Sequence, residues 1–124
     1  MPFGLFQCLD SILRVLYDLS IIQDARLREC NYGDFTQQPS EIVDAEKPKH
    51  LRVPFPNGES YTETTARMKS FLDDLRRDYA GKRVMVIGHR ATHYGIEHIV
   101  NGVPLETLVA AKFRWQAGWG YGVK

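Results

Sequence analysis

The sequence predicts a single α/β domain of three layers, with helices on both faces of a mostly parallel sheet. Three observations predict it. "RVMVIG" at residues 83–88 is a short, apolar, β-branched run bounded by charge and glycine, the pattern of a strand covered on both faces. A helix with an explicit start signal precedes this run, and a second helical stretch follows it. The tail "KFRWQAGWGYGVK" alternates large and small residues, and its aromatics suit one or two further strands.

In chain order, Leu5, Leu9, Ile12, Leu16 and Leu19 recur at helical spacing, with Phe6, Leu13 and Val15 widening the stripe. Residues 1–24 thus open with an amphipathic helix, and "SIIQDARLREC" continues as a short extended piece. Between Asn31 and Gly58, the glycines and prolines at Gly33, Pro39, Pro48, Pro54, Pro56 and Gly58 punctuate a loop. A short helix near residues 41–46 fits inside it, and "DAEKPKH" suits a solvated surface. Ser60 with Glu63 three residues on forms a capping box, so a long helix starts there. Arg76 and Arg77 sit at its negative end, and Gly81 is placed to stop it. After "RVMVIG", a helix over 91–100 ends at Asn101-Gly102, and Pro104 opens a last short helix, "PLETLVAA".

Composition bounds the function. The chain has 124 residues, the size of one domain, with 44% hydrophobic and 25% charged residues and a formal net charge of +1. Nucleic-acid binding leaves a basic footprint that is absent here, so no nucleic-acid partner is expected. The apolar N-terminus has no basic leader and is interrupted by Asp10, Arg14 and Asp18, so neither a secretion signal nor a membrane span is expected. Cys8 and Cys30 have no metal or redox spacing. Two free thiols in a reducing cytoplasm is the plainer account of them, beside a disulfide between the two.

The chemistry concentrates at His89. Ligands of open α/β sheets bind beyond the carboxyl ends of strands, and His89 stands there, between Gly88 and Arg90. The helix that follows offers free N–H groups and a favourable dipole to an anion. A histidine, an arginine and a helix start make a phosphate-sized site, though a lone histidine after a strand is more often an ordinary hydrogen-bonded residue. A second segment, "RLRECNYGDF", sets Glu29 among Arg26, Arg28 and Tyr32. A carboxyl beside a phosphate site can protonate a leaving oxygen; the competing account is a weak surface pair with an arginine.

Three segments in order resemble the histidine phosphatase superfamily, the phosphoglycerate-mutase-like fold. "RLRECNYGDF" is similar to its acid-bearing loop, "FPNGESYTETTARMKSFLDDL" to its Gly-Glu-Ser segment opening a long helix, and "VMVIGHRATHYGIEHIVNGVP" to its strand ending in an active-site histidine. The resemblance covers residues 25–124. It implies phosphomonoester hydrolysis through a phosphohistidine, with no metal or other cofactor, on a small phosphorylated substrate. It implies Glu29 as proton donor and His89 as a catalytic ligand of the phosphoryl oxygens. Arg90 and Arg28 would be further phosphate contacts, and Tyr32 a substrate-lining residue. Glu59 is a weaker candidate, better explained as part of the turn before the capping box.

The family's nucleophile lies in an Arg-His-Gly segment that does not occur in this chain, whose histidines are His50, His89, His93 and His98. The resemblance therefore predicts a domain truncated at its N-terminus, with weak or absent activity. Two rivals remain. A binding module for inorganic phosphate or for a protein could keep the fold without the chemistry, its leucine-rich helix and its aromatic tail burying an interface, a homodimer among the options. A metal enzyme could use His89, His93 and Glu97, four residues apart on one helical face, although the strand end places His89 ahead of the helix.

Overall fold

The structure, a computed structural model, describes residues 19–124. The amphipathic N-terminal helix expected over residues 5–19, and Cys8, lie outside the described residues or at their edge. Four α-helices carry the rest: α1 (Ser40–Glu46), α2 (Tyr61–Asp78), α3 (Arg90–Asn101) and α4 (Leu105–Ala110). Single 3-10 turns at Ala25–Leu27, Gly33–Phe35 and Lys47–His50 shape the loops before α2.

The longest helix forms where local chemistry specifies it. The Glu63 amide donates to Ser60 Oγ at 3.2 Å, and the Ser60 amide donates to Glu63 Oε2 at 2.6 Å, so two otherwise orphaned donors are satisfied at the start of α2. Tyr61, Thr64, Met68, Phe71 and Leu72 are its buried residues, a single face at helical spacing. Each large apolar side chain removed from water there contributes about 1.5–3 kcal/mol. The opposite face carries Lys69, Asp73 and Arg76 in short ion pairs, worth little individually.

α2 packs against α3, and one glycine sets how closely. A Cβ on Gly95 would lie 2.5 Å from Met68 Cγ, so only the missing side chain lets the two helices approach at this crossing. Met68, Phe71, Leu72 and Ile96 form one buried cluster around that contact. A second cluster joins Cys30 and Phe55 from the loops to Tyr61, Ala91 and Tyr94 on α2 and α3 and to Leu105 and Val109 on α4. His50 belongs to this aromatic wall, its ring stacked on Phe55 at 4.0 Å and its Nδ1 bonded to the Val53 carbonyl at 3.0 Å.

The helices match the sequence-based expectation closely, but the sheet does not form. Among the described residues there is no strand, so the three-layer α/β architecture with a mostly parallel sheet is corrected to a helical one. Residues 83–88, expected as a strand covered on both faces, run without regular structure; Val84 is exposed and Met85 is 74% exposed. The tail beyond α4 likewise runs without strands. The physical reason is that a strand is defined by a neighbour. Ladder N–H and C=O groups need a partner segment, and the described residues supply none beside 83–88. No helix of the described residues is long and apolar enough to cross a membrane.

Candidate functional site

The acid loop is held from beneath by Arg67 on α2. Its guanidinium donates to the carbonyls of Arg26 (2.9 Å), Arg28 (3.2 Å) and Glu29 (3.5 Å) and pairs with Glu59 at 2.9 Å. Glu59 in turn accepts from the Asn31 amide at 3.3 Å. Glu59 therefore fixes the loop's backbone. Cys30 lies buried in the same loop as a free thiol, and burial, with Glu59 next, pushes its pKa up to about 12.

α3 meets this loop at its first turn. His89 is the N-cap residue, ahead of the helix as expected. Its amide donates to Thr92 Oγ1 at 3.0 Å, and that hydroxyl donates to the Leu27 carbonyl at 3.1 Å, so one side chain ties the helix start to the acid loop. Gly88 makes room for it: a Cβ there would stand 2.5 Å from Thr92 Oγ1. The carboxylate of Glu29 then accepts from two amides, its neighbour Cys30 at 2.8 Å and Ala91 at 3.1 Å in the first turn of α3. A negative group at a helix N-terminus is favoured by both the free donors and the dipole.

Glu29, Tyr32, His89 and Arg90 line one open cleft of about 490 Å³. Four of the sequence-predicted residues are thus brought together from segments about sixty positions apart in the chain. The Tyr32 hydroxyl lies 3.2 Å from that of Tyr61, and burial, then the charge of Glu29, raises its pKa, which keeps it a neutral donor. Arg28 is placed elsewhere: its guanidinium donates to the Ala25 carbonyl at 2.9 Å and faces Glu59 at 3.6 Å, outside the cleft lining.

The sequence points to the loop between Asn31 and Gly58 as a cover for the pocket, but it does not single out the residues of the other walls. Asp44 and Lys47 line the cleft from α1 and the turn after it, paired at 2.7 Å, and Arg90 reaches the same Asp44 at 3.5 Å. Lys47 is buried although "DAEKPKH" reads as solvated; its spacing of three from Asp44, once the helix continues into the turn, was the available signal. The tail adds Phe113, Trp115 and Trp119 to the lining. Phe113 lies under the Arg90 guanidinium at 4.6 Å, and Trp119 against the His93 ring at 4.5 Å.

The remaining histidines have other duties. His98 Nδ1 bonds the Val103 carbonyl at 2.8 Å, closing the end of α3. His93 Nδ1 lies 3.1 Å from the Tyr121 hydroxyl, which donates to Glu97 Oε1 at 3.0 Å. His93 and Glu97 are therefore joined through Tyr121, and among the described residues no three His, Cys, Asp or Glu side chains converge as a metal-holding group. The His89, His93 and Glu97 trio does not assemble.

The comparisons with known proteins bear on the same segments. A "Putative phosphoserine phosphatase 2" of Hydrogenobacter thermophilus is 27% identical over 96 residues, covering 71% of this chain and 47% of that protein. The chain thus spans about half the length of this curated relative. The family model described as the histidine phosphatase superfamily (branch 1) matches residues 7–116, and with that match over most of its length the chain belongs to the histidine phosphatase superfamily.

Proposed function

We propose that the chain carries the phosphate-ester site and the proton-donor arm of a phosphomonoesterase working through a phosphohistidine, and that these 124 residues alone turn over weakly or not at all. Family membership supports the reaction class, and the absence of an Arg-His-Gly segment from the chain supports the weak turnover. The observation that carries the reading is the Glu29 carboxylate on the first turn of α3, 3.1 Å from the Ala91 amide, in the cleft that His89 also lines.

In this reading the His89 ring, the amides opening α3 and the Arg90 guanidinium bind the phosphoryl oxygens and stabilise the charge that grows on them. Glu29, displaced from the Ala91 amide by the phosphoryl group and protonated from solvent, gives that proton to the oxygen of the departing alcohol as the P–O bond breaks. Tyr32 donates from the cleft wall to the ester. The P–N bond requires a histidine nucleophile that none of these residues replaces. The substrate is a small phosphate ester; the relative's name makes phosphoserine one candidate. A reducing cytoplasmic setting is in keeping with the free thiol of Cys30. A second reading, a non-catalytic phosphate-binding module, rests on the same cleft.

The test measures two quantities on the 124-residue chain and on its His89→Ala variant: hydrolysis of an aryl phosphate, and the rise in unfolding temperature with inorganic phosphate. The expected result is little or no hydrolysis together with a phosphate-dependent stabilisation that His89→Ala removes. Brisk hydrolysis abolished by His89→Ala would overturn the proposed weakness and leave the site standing. No stabilisation by phosphate would overturn the site.

A further inference from the structure

The C-terminal tail has no ladder, yet it is pinned along its length. Phe113 is held under Arg90 at 4.6 Å, Trp119 against His93 at 4.5 Å, and Tyr121 by hydrogen bonds to His93 and Glu97. The Lys124 carbonyl accepts from Arg76 Nε on α2 at 2.7 Å. Between these anchors stands Trp115. It is 80% exposed, and it lines the cleft that holds Glu29 and His89. None of the aromatic pairs among the described residues involves it.

An indole open to water in the lining of the cleft that holds His89 and Glu29 is free to contact a ligand there. Its flat face attracts another π-system through offset or edge-on stacking, a geometry that a flexible alkyl chain does not exploit. The charged groups of the cleft, at the start of α3, His89 and Arg90, would hold one end of a ligand, and the tail aromatics Phe113, Trp115 and Trp119 line the same cleft beside them. A cleft of about 490 Å³ has room for a phosphoryl group and one ring. A ligand whose anionic end sits at His89 would extend its organic end along the wall that Trp115 and Trp119 form.

We propose that the ester this site takes is an aryl phosphate, its ring stacked on Trp115. The proposal rests on the phosphate site described above and adds the chemical class of the alcohol. It assigns Trp115 as a specificity-determining residue that touches the leaving group and leaves the phosphoryl contacts to others.

Binding of three non-hydrolysable or simple anions to the 124-residue chain tests it: inorganic phosphate, methylphosphonate and phenylphosphonate, by calorimetry. Phenylphosphonate is expected to bind about tenfold tighter than methylphosphonate, the scale of one good stacking contact plus burial. Trp115→Ala is expected to erase that ratio while leaving phosphate and methylphosphonate unchanged. Trp115 is exposed, so the variant should fold as the parent does. Equal affinity for the two phosphonates in the parent chain overturns the aryl assignment and leaves the phosphate site intact. A phenyl preference that survives Trp115→Ala overturns the role of Trp115. Failure of all three anions to bind overturns the phosphate site itself, and the aryl assignment with it.

Discussion

Arg67 organises more of the site than any residue that lines it. One guanidinium holds three carbonyls of the loop, those of Arg26, Arg28 and Glu29, and the Glu59 carboxylate, and both members of that ion pair are largely shielded from water. Removing the cation takes the closest charge from a shielded carboxylate, leaving it the Asn31 amide and the more distant Arg28, and takes the donor from three carbonyls at once. Arg67→Ala is expected to cost about 3 kcal/mol of unfolding free energy, read from the urea midpoint. A loss below ~1 kcal/mol would show that water replaces the arginine freely. At this scale the sequence was legible where a residue type and its position both carried meaning: His89 after an apolar run, Glu29 in a charged loop. It was illegible for Lys47, which looks like a surface charge until the fold buries it, and for Arg67, whose loop partners stand about forty residues away in the chain. Arg28 shows the reverse. It flanks the acid in sequence, yet its guanidinium faces Glu59 outside the cleft.

Between elements, the crossing of α2 and α3 carries the core, and Gly95 is its contact point. The side chain of a valine there would have to displace Met68, which is buried on every side. Gly95→Val is expected to destabilise by about 2–3 kcal/mol, the range for forcing extra carbons into a packed interior, with the far-ultraviolet helical signal retained at low temperature. A neutral result would mean that the helices separate without penalty. The contrast between helices and strands explains what could be read at this scale. The start of α2 is written within four residues, Ser60 to Glu63, because helix bonds are local. A strand is a statement about two segments. "RVMVIG" has the composition of one, but composition does not specify a neighbour. The tail aromatics were misread for the same reason. Their alternation suits a strand, whereas in the structure they pack on Arg90 and His93.

For the molecule as a whole, the order of three motifs identified the superfamily although it did not yield the layers. Family character lay in the acid loop, the capped helix and the His89 turn, and the structure joins two of these directly through Glu29, Thr92 and the start of α3. Global stability should carry the mark of His93. Burial lowers its pKa below the usual 6.5, with Glu97 opposing. The unfolded chain then binds a proton that the folded one resists, so this contribution is complete above pH 6.5 and is lost as pH falls from there towards the lowered folded value. Urea titrations between pH 7.5 and about 5 are expected to show falling stability, and His93→Gln to flatten the slope. The same slope in the variant would assign the effect elsewhere. Asp24, Glu46, Asp73 and Asp78, whose pKa values arginine or lysine partners lower, withdraw their support only at more acidic pH. The grip of Glu29 on the Ala91 amide has a further effect on affinity. The protein supplies its own competing anion, covalently attached and already seated on a donor that an arriving oxyanion would use. In the proposed reading, the dissociation constant for phosphate therefore contains the work of evicting it. Glu29→Gln, which removes the charge and keeps an accepting oxygen, should bind phosphate about tenfold more tightly than the parent chain. Weaker binding by that variant would mean that guest and resident never contend for the same place.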